Sequence, residues 1–272
     1  MIELKLELEP YIRKAETALS EVLSAYSDSI FYKPLVEALK GGKRIRPMIL
    51  LLVNEASGGG GNPRPAAAAI ELMHNLSLIH DDLIDKDVFR RGKPSFQKRF
   101  GEEMAVLMAD YVMSVAVDVC SRYEDKRVLL TLSWTAIKMS EGEMEEFLVR
   151  KKERSLSINS YIDILYKKTA AIFEAAAKMG AIIAGASEEL VEQIGRYGKY
   201  IGLAYQVKDD LIDWGKPGEI SSLVKGKDPR VKLNELVHEL VNKAIESLKP
   251  FPDSKAKELL RRIAQYIANR KV

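Results

Sequence analysis

Apolar positions recur every three to four residues along almost the whole chain, which is the period of a helix that packs one face against a core. Long stretches rich in Ala, Leu, Glu, Lys and Met carry this pattern, and no series of alternating β-branched segments interrupts it. The pattern therefore predicts an all-α fold.

Roughly ten helices are predicted from this periodicity and from the prolines and glycines that interrupt it. They run from about Pro10 to Tyr26, Lys33 to Leu39, Arg46 to Ala56, Ala66 to Asp85, Glu103 to Arg122, Lys126 to Lys151, Ile158 to Ala186, Glu188 to Trp214, Leu233 to Lys249 and Ser254 to Arg270. Residues 57–63 and 88–95 are predicted loops, and glycines and prolines break the pattern after Trp214. Because no low-complexity linker is present, we expect one domain over residues 1–272.

One pentapeptide, Asp-Asp-Leu-Ile-Asp, occurs twice and contributes six carboxylates: Asp81, Asp82, Asp85, Asp209, Asp210 and Asp213. In a helix, the first and fifth residues of each copy lie one turn apart on the same face, which suits a hard divalent cation. A single copy would be interpreted as a solvated helix face. The repetition and the basic segments described below favour two facing walls of one cavity, where metal ions and a polyanion offset the carboxylate repulsion.

His74 falls on the same predicted helix face as the first aspartate motif. Asp85, four residues after Asp81, and His74, seven before it, lie within about 20° of one line on a helical wheel. A lone histidine is more often a core residue, but this alignment favours a position in the metal-binding cavity. His80 lies on another face and is interpreted as structural, and His238 receives no role.

Two basic segments can supply the positive charge that an anion needs. In residues 41–47 two glycines precede a Lys-Arg-Ile-Arg run, and residues 90–94 contain Arg90 and Arg91. The planar fork of arginine suits phosphate oxygens. Either segment alone would be interpreted as a solvated loop. Beside a magnesium site, the two segments imply two separate polyphosphate groups.

Composition excludes several other classes of protein. The 272 residues contain 42 Lys and Arg against 39 Asp and Glu, and a net charge of +3 argues against a nucleic-acid-binding protein. Cys120 is the only cysteine, so intrachain disulfides and thiolate zinc sites are excluded and a reducing cytoplasm is expected. Residues 1–10 lack the form of a signal peptide, and no run approaches the roughly 18 uncharged apolar residues of a membrane span. We expect a soluble, cytoplasmic protein.

Several motifs together resemble those of the trans-isoprenyl diphosphate synthases, or polyprenyl synthetases. Between about Gly41 and Asp228 they occur in that family's order: Gly-Gly-Lys-Arg-Ile-Arg-Pro, the Glu71 to Asp85 run, Arg-Arg-Gly, Lys168-Thr169, and Gln206 before the second aspartate motif. The resemblance implies a bundle of helices around a deep central cavity, with the two aspartate motifs facing each other at its mouth. Relatives are commonly homodimers.

The resemblance also implies roles for the residues at matching positions. Two Mg²⁺ would bind Asp81 and Asp85 and a third would bind Asp209, supported by Asp82, Asp210 and Asp213. The allylic diphosphate would be held by Arg90, Lys168, Thr169, Gln206 and a lysine after the second motif, for which Lys225, Lys227 and the later Lys232 are the candidates. Isopentenyl diphosphate would bind Lys43, Arg46, His74 and Arg91. The catalytic residues would be Asp81, Asp85, Lys168 and Asp209.

The implied reaction is a head-to-tail condensation. Metal ions and cations stabilise the departing diphosphate, the allylic carbon–oxygen bond ionises, and the double bond of isopentenyl diphosphate attacks the resulting cation. A proton is then lost, with the released diphosphate as the base, which suits a chain with only three histidines. Apolar helix walls would exclude the water that quenches the cation.

Product length would depend on the cavity walls below the first aspartate motif. Ser77, Met73 and Ile70 precede Asp81 by four, eight and eleven residues, and they either line a tail channel or pack in the core. In relatives, an aromatic residue five before that aspartate, here Leu76, shortens the product. Because Leu76 is not aromatic, it disfavours a farnesyl product, and together with Met73 it favours geranylgeranyl. The helical wheel, however, places Leu76 off the face that carries Asp81.

Alternatives remain beside this hypothesis. A terpene cyclase is disfavoured, because its second metal motif normally mixes Asn or Asp with Ser and Glu. A longer-chain synthase and a non-catalytic regulatory subunit of a heteromeric synthase are also considered, although such a subunit would be expected to lose aspartates or cations. Glu143 stands where many relatives have Gln, and the sequence gives no physical reason for it.

Overall fold

The computed structural model describes residues 2–90, 92–152, 155–216 and 220–270, and helices dominate all four ranges. They are α1 (Ile2–Ser24), α2 (Tyr32–Ala38), α3 (Ile45–Ala56), α4 (Arg64–Asp85), α5 (Phe96–Phe100), α6 (Glu102–Ser121), α7 (Arg127–Lys152), α8 (Ile158–Leu165), α9 (Ala171–Ile183), α10 (Glu188–Ile212), α11 (Pro229–Ser247) and α12 (Lys255–Asn269). A π-helical turn (Tyr166–Ala170) joins α8 to α9, and a 3₁₀ turn spans Ile220–Leu223. The all-α prediction is confirmed.

The helices α3, α4, α9 and α10 form the inner part of the bundle. Packing runs from α4 to α3, from α3 to α9 and from α9 to α10, while α7 packs against α9. Around them, α1 and α6 cover α4, and α11 and α12 cover α10. The residues Ala66–Ile70 of α4 are fully buried, and four of these five are alanines, which let neighbouring helices approach closely.

The predicted basic loop after α4 contains a short antiparallel hairpin. Its strands are β1 (Phe89–Arg90) and β2 (Lys93–Pro94), with Arg90 opposite Lys93. Gly92 in the turn has a φ of 74°, a conformation that glycine adopts without steric strain. The hairpin turns the chain back on itself, so that Arg90 returns to the aspartate motif at the end of α4.

The prediction was wrong about the start of α1. The helix begins at Ile2 and continues through Pro10, which was expected to mark its first turn. Leu8 and Tyr11 are both buried on either side of the proline. Packing of these side chains against the core therefore outweighs the loss of one backbone hydrogen bond at Pro10.

Two further differences concern single helices. The predicted 158–186 helix contains the π-helical turn, which divides it into α8 and α9, and α9 ends at Ile183. Helix α11 begins at Pro229 and not at Leu233, because a proline fits the first helical turn, where no amide donor is needed. The remaining boundaries differ by a few residues at most.

Among the described residues, α6 alone is long and apolar enough to cross a membrane by length and composition. One face of α6 packs against α4, with Met108 and Val112 fully buried. Another face exposes Val106 and Leu107 to more than half of their full accessible area. Helix α6 is therefore apolar on two faces, one that packs against α4 and one that is exposed.

Helices α9 and α10 cross at a point where only glycine fits. A Cβ on Gly198 would lie 2.4 Å from the carbonyl oxygen of Phe173 and 2.8 Å from the Cα of Glu174. Gly195, one turn earlier on α10, differs, because its Cβ would meet only the flexible side chain of Lys178. Gly198 thus sets the separation of the two helices, and α10 carries the second aspartate motif.

We expect Gly198→Ala to lower the free energy of unfolding by about 1–3 kcal/mol, the usual effect of overpacking a close contact. The matched variant Gly195→Ala should leave it unchanged or raise it by up to about 1 kcal/mol, because alanine is the better helix former and the Lys178 chain can move aside. Denaturant unfolding of both variants measures the difference. Equal effects of the two substitutions would contradict the role of this crossing.

Candidate functional site

A cavity of about 970 Å³ opens between the start of α3 and the helices α4, α6, α7, α9 and α10. Its volume lies near the upper end of the range for small-molecule sites, about 300–1,000 Å³. Four of the six motif carboxylates line it: Asp81, Asp85, Asp209 and Asp210. Asp82 and Asp213 lie outside its lining. The two aspartate motifs, residues 81–85 and 209–213, therefore face one cavity with four of their carboxylates.

Each aspartate motif lies at the C-terminal end of its helix. The first ends α4 and the second ends α10, and neither helix has a basic residue in its last turn. A helix C-terminus carries partial negative charge, so carboxylates there are destabilised. The opposite end of α10 follows the usual rule, with Glu188 and Glu189 in the first turn. Positive charge for the motifs must therefore come from other elements.

The carboxylates of the first motif are each paired with a cation from a different element. The pairs are Asp81 with Lys168 at 3.8 Å, Asp82 with Arg90 at 2.5 Å, and Asp85 with Arg150 at 2.7 Å. The cations come from the π-helical turn, the hairpin and the last turn of α7, respectively. The charge of the motif is thus compensated only in the folded chain.

Asp81 shares its surroundings with a second carboxyl, that of Glu143. Burial raises the pKa of Asp81 to about 7, against the opposing charge of Lys168, and Glu143 adds to the increase through repulsion and a hydrogen bond. The buried carboxyl of Asp81 therefore holds its proton more readily than an exposed aspartate does. Glu143, unexplained from sequence, is a neighbour of the first aspartate motif.

In the second motif, Asp209 and Asp210 have different surroundings. Asp209 pairs with Arg270, which follows α12, at 2.6 Å. Asp210 is buried and accepts hydrogen bonds from the Tyr161 hydroxyl at 2.5 Å and from Nε2 of Gln206 at 2.7 Å. Asp209 thus remains the more accessible carboxylate of this pair, while Asp210 orients a neighbouring side chain.

Gln206 connects this motif to the π-helical turn. Its Oε1 accepts a hydrogen bond from the Thr169 hydroxyl at 3.2 Å, so Thr169, Gln206 and Asp210 form one chain. The last aspartate, Asp213, pairs instead with Lys216 at the surface. Asp213 therefore lies apart from the cavity, as its absence from the lining also indicates.

Lys168 is held by a close approach of α7 to the π-helical turn. A Cβ on Gly142 would lie 2.5 Å from the backbone nitrogen of Lys168, so glycine is required there. The Lys168 ammonium lies 2.8 Å from Glu143 and 3.1 Å from Glu146. Burial alone would lower its pKa, but the carboxylates of Glu146, Asp81 and Glu143 together raise it. Lys168 is therefore a permanent cation at the cavity wall.

In the basic segment before α3, the structure separates two arginines that look alike in the sequence. Arg46 lines the cavity and lies over the ring of Phe173, whereas Arg44 is buried and pairs with Glu71 at 2.6 Å. A second Arg44 nitrogen donates to the carbonyl oxygen of Leu39 at 2.6 Å. Arg44 also has a φ of 51°, an uncommon backbone conformation for a non-glycine residue. Arg44 thus fixes the loop to α4, leaving Arg46 at the cavity.

The other predicted site residues divide into three groups. Those that line the cavity, besides the residues above, are Lys43, His74, Arg90, Thr169, Met73, Leu76 and Ser77. Those described but outside its lining are Lys225 and Lys227, both exposed, and Ile70, fully buried. Arg91 lies outside the described residues. His80, interpreted as structural, also lines the cavity.

Sequence reasoning missed the contribution of α7. Glu143, Glu146 and Arg150 all line the cavity beside the first aspartate motif. Their spacings of three and four residues place them on one helical face, and this periodicity was the available signal. It was missed because a charged face of a helix usually faces solvent.

The donor set fits Mg²⁺ by its chemistry. The carboxylate oxygens of Asp81, Asp85 and Asp209 are hard ligands on the wall of one cavity, and oxygen donors suit magnesium better than softer metals. Within the described ranges, no three acidic, histidine or cysteine side chains form a ready-made metal cluster. Cations from the chain pair with these carboxylates instead.

Comparisons with known proteins give matches over most of the chain. The family model for polyprenyl synthetase matches residues 28–248. Geranylgeranyl diphosphate synthase of Methanosarcina mazei is 38% identical over 224 residues, which cover 78% of this chain and 68% of that protein. Geranylfarnesyl diphosphate synthase of the same organism is 35% identical over 284 residues, covering 96% and 92%. The crystal structure of geranylgeranyl pyrophosphate synthetase from Pyrococcus horikoshii covers 99% of each chain, with a TM-score of 0.87 and 28% identity.

Proposed function

The chain belongs to the polyprenyl synthetase family and is a trans-prenyltransferase, and we propose that it condenses isopentenyl diphosphate head-to-tail with an allylic diphosphate to make geranylgeranyl diphosphate. One observation carries this proposal. Carboxylates of both aspartate motifs line a single cavity, which also contains two groups of cations. A metal site beside two anion sites is what a reaction between two diphosphates requires.

The allylic diphosphate binds between the two aspartate motifs. Lys168 and Arg90 supply positive charge there, and the Thr169–Gln206 pair supplies hydrogen-bonding groups beside them. Asp81, Asp85 and Asp209 would hold Mg²⁺, three ions by the family's pattern, which would supply positive charge to the leaving diphosphate. Because Asp82 holds Arg90 and Asp210 holds Gln206, these two aspartates act through the side chains that they orient.

Isopentenyl diphosphate binds on the side of the cavity formed by α3 and the middle of α4. Lys43 and Arg46 flank the buried Arg44, and His74 lies three residues after Glu71 on α4. The Arg44–Glu71 ion pair joins the loop to the helix, so it positions all three anion-binding side chains relative to the metal site. A buried pair of this kind is strongly destabilising when only one partner is removed.

The isoprenoid tail extends along apolar walls below the first aspartate motif. These walls come from three helices: Met73 and Leu76 on α4, Met113 on α6, and Met139 on α7. They exclude water from the allylic cation. Leu76 lines the cavity, although the helical wheel places it off the face that carries Asp81. Its side chain, bulky but not aromatic, supports a product longer than farnesyl.

A longer product is the second candidate. The two Methanosarcina mazei relatives are named for geranylgeranyl and geranylfarnesyl products, so similar chains differ in the length that they make. The walls of this cavity contain methionines, whose flexible side chains can adapt to chains of different length. Geranylgeranyl remains the proposal, because Met73 and Leu76 both reduce the depth available below the metal site. We place the reaction in the cytoplasm, where the single thiol of Cys120 stays reduced.

The exposed apolar side chains of α6 and α7 support a homodimer. On α7 they recur at Leu130, Trp134, Ile137, Met144 and Leu148, a spacing that keeps them on one face. Val106, Leu107 and Val117 of the adjacent α6 are exposed as well. Apolar surface of this extent marks a protein–protein contact, and a second copy of the chain would cover it around a twofold axis.

The proposed function is tested by incubating the purified protein with Mg²⁺, isopentenyl diphosphate and dimethylallyl, geranyl or farnesyl diphosphate. We expect diphosphate release and longer prenyl diphosphates, resolved by chromatography, with geranylgeranyl diphosphate as the main product. Asp85→Asn should reduce turnover at least 100-fold, because a metal ligand is lost. No turnover with any of the three primers would refute the proposal, and a longer main product would favour the second candidate.

Leu76→Phe should shorten the main product, because the larger aromatic side chain fills part of the cavity below the first aspartate motif. Leu76→Ala is the opposing variant and should lengthen it. Chromatography of the products from one primer measures both. If neither substitution changes product length, Leu76 is not part of the tail channel.

Ile137→Glu should convert the dimer to a monomer, because a buried unpaired charge would be placed in the interface. Ile137 is 55% exposed in the protomer, so the protomer itself should keep its stability. Val231→Glu is the matched control, since Val231 is 57% exposed and lies on α11, which packs against α10 and α12. Sedimentation velocity measures the mass of each. A monomeric wild-type protein would contradict the proposed dimer.

A further inference from the structure

Helix α7 brings an arginine to the first aspartate motif that no family motif of the sequence contains. Arg150 lies in the last turn of α7, and its Nη2 is 2.7 Å from Oδ1 of Asp85. Its Nε lies 3.5 Å from Oε1 of Glu146. The side chain is 24% exposed and lines the cavity. Arg150 is therefore a charged group of the cavity wall.

The contacts of Arg150 belong to a ring of alternating charges. Asp85 contacts Arg150 at 2.7 Å, Arg150 contacts Glu146 at 3.5 Å, Glu146 contacts Lys168 at 3.1 Å, and Lys168 contacts Asp81 at 3.8 Å. The ring closes through α4, because Asp81 and Asp85 lie one turn apart on that helix. Two cations thus pair with the two carboxylates that the proposed function assigns to Mg²⁺.

A divalent ion at Asp85 competes directly with the Arg150 guanidinium. Both bind the same carboxylate oxygens, and the doubly charged ion interacts more strongly with them. Nε of Arg150 lies 3.5 Å from Oε1 of Glu146, so a negative charge stays beside the arginine when Asp85 binds a metal ion. The guanidinium, which lines the cavity, would then have its terminal nitrogens available to a metal-bound anion.

We propose that Arg150 is a diphosphate-binding residue that is held by Asp85 in the metal-free protein and becomes available when Mg²⁺ binds. The inference rests on the proposed function, because it requires a metal-bound diphosphate in this cavity. The inference goes beyond the proposed function because it adds a cation from α7 to the cations of the hairpin and the π-helical turn. The same pairing protects Asp85 from repulsion by its neighbours before the substrates arrive.

This arrangement predicts two effects of opposite sign for Arg150→Gln. Without any diphosphate, the metal should bind about three- to tenfold more tightly, because its competitor is gone. In saturating Mg²⁺, inorganic diphosphate should bind about three- to tenfold more weakly, because a bidentate cation is lost. Mn²⁺ is the probe for the first measurement, since its free fraction is read by electron paramagnetic resonance and it accepts the same oxygen ligands. Calorimetry measures the second.

Two further variants separate charge from geometry and from general damage. Arg150→Lys keeps the charge but not the fork, so metal affinity should stay near the wild-type value while diphosphate affinity falls. Arg122→Gln removes an arginine from a comparable pair with Asp118 at 2.5 Å, away from the cavity, and should change neither. Thermal unfolding of each variant checks that the fold is retained.

The outcomes distinguish this inference from the proposed function. If Arg150→Gln weakens both affinities, or changes neither, Arg150 is not a releasable diphosphate ligand, while the function stands. If the wild-type protein does not bind diphosphate in the presence of Mg²⁺, the function and this inference both fail. Tighter metal binding together with weaker diphosphate binding supports the inference, because a purely structural role would not move the two affinities in opposite directions.

Discussion

The carboxylates at the C-terminal ends of α4 and α10 impose the constraint on which the site depends. They lie where the helix dipoles disfavour negative charge, and they repel one another across a cavity. Neither helix supplies a cation in its last turn. Compensation comes instead from the hairpin, α7, the π-helical turn and the residue after α12, four elements that are far apart in the sequence. The charge balance of the site is therefore a property of the whole fold.

The same need for positive charge at the cavity explains the position of the π-helical turn. The π-helical turn interrupts what would otherwise be one long helix and places Lys168 and Thr169 at the cavity wall. Its position depends on Gly142, since any side chain there would collide with the turn. Single π-type turns inside helices often occur at functional sites, and this one positions two groups that would otherwise follow the helical period.

Periodicity and one repeated pentapeptide were sufficient to predict most helices and both aspartate motifs. They could not place residues whose role depends on distant partners. Arg44 and Arg46 look equivalent in the sequence, and only Glu71, on the next helix but 27 residues later, makes one of them a buried anchor. Likewise, the charged face of α7 resembles a solvated surface in the sequence, but in the fold it lies beside the end of α4. Burial of Leu8 and Tyr11, which carries α1 through Pro10, is a third effect of packing that the local pattern does not contain.

The two proposed anion sites differ in how far they would depend on a metal ion. Beside the first aspartate motif, the cations Lys168 and Arg150 are already paired with carboxylates. The positive charge available to a diphosphate would therefore depend on how many of these carboxylates bind metal instead. On the other side, the anchor of the loop is the Arg44–Glu71 pair, which lies in the core and contains no motif aspartate. Lys43 and Arg46 flank Arg44 in the sequence and line the cavity. On the proposed function, one anion site is thus preformed, whereas the other would be completed by its metal ions, on the side where the carbon–oxygen bond would break.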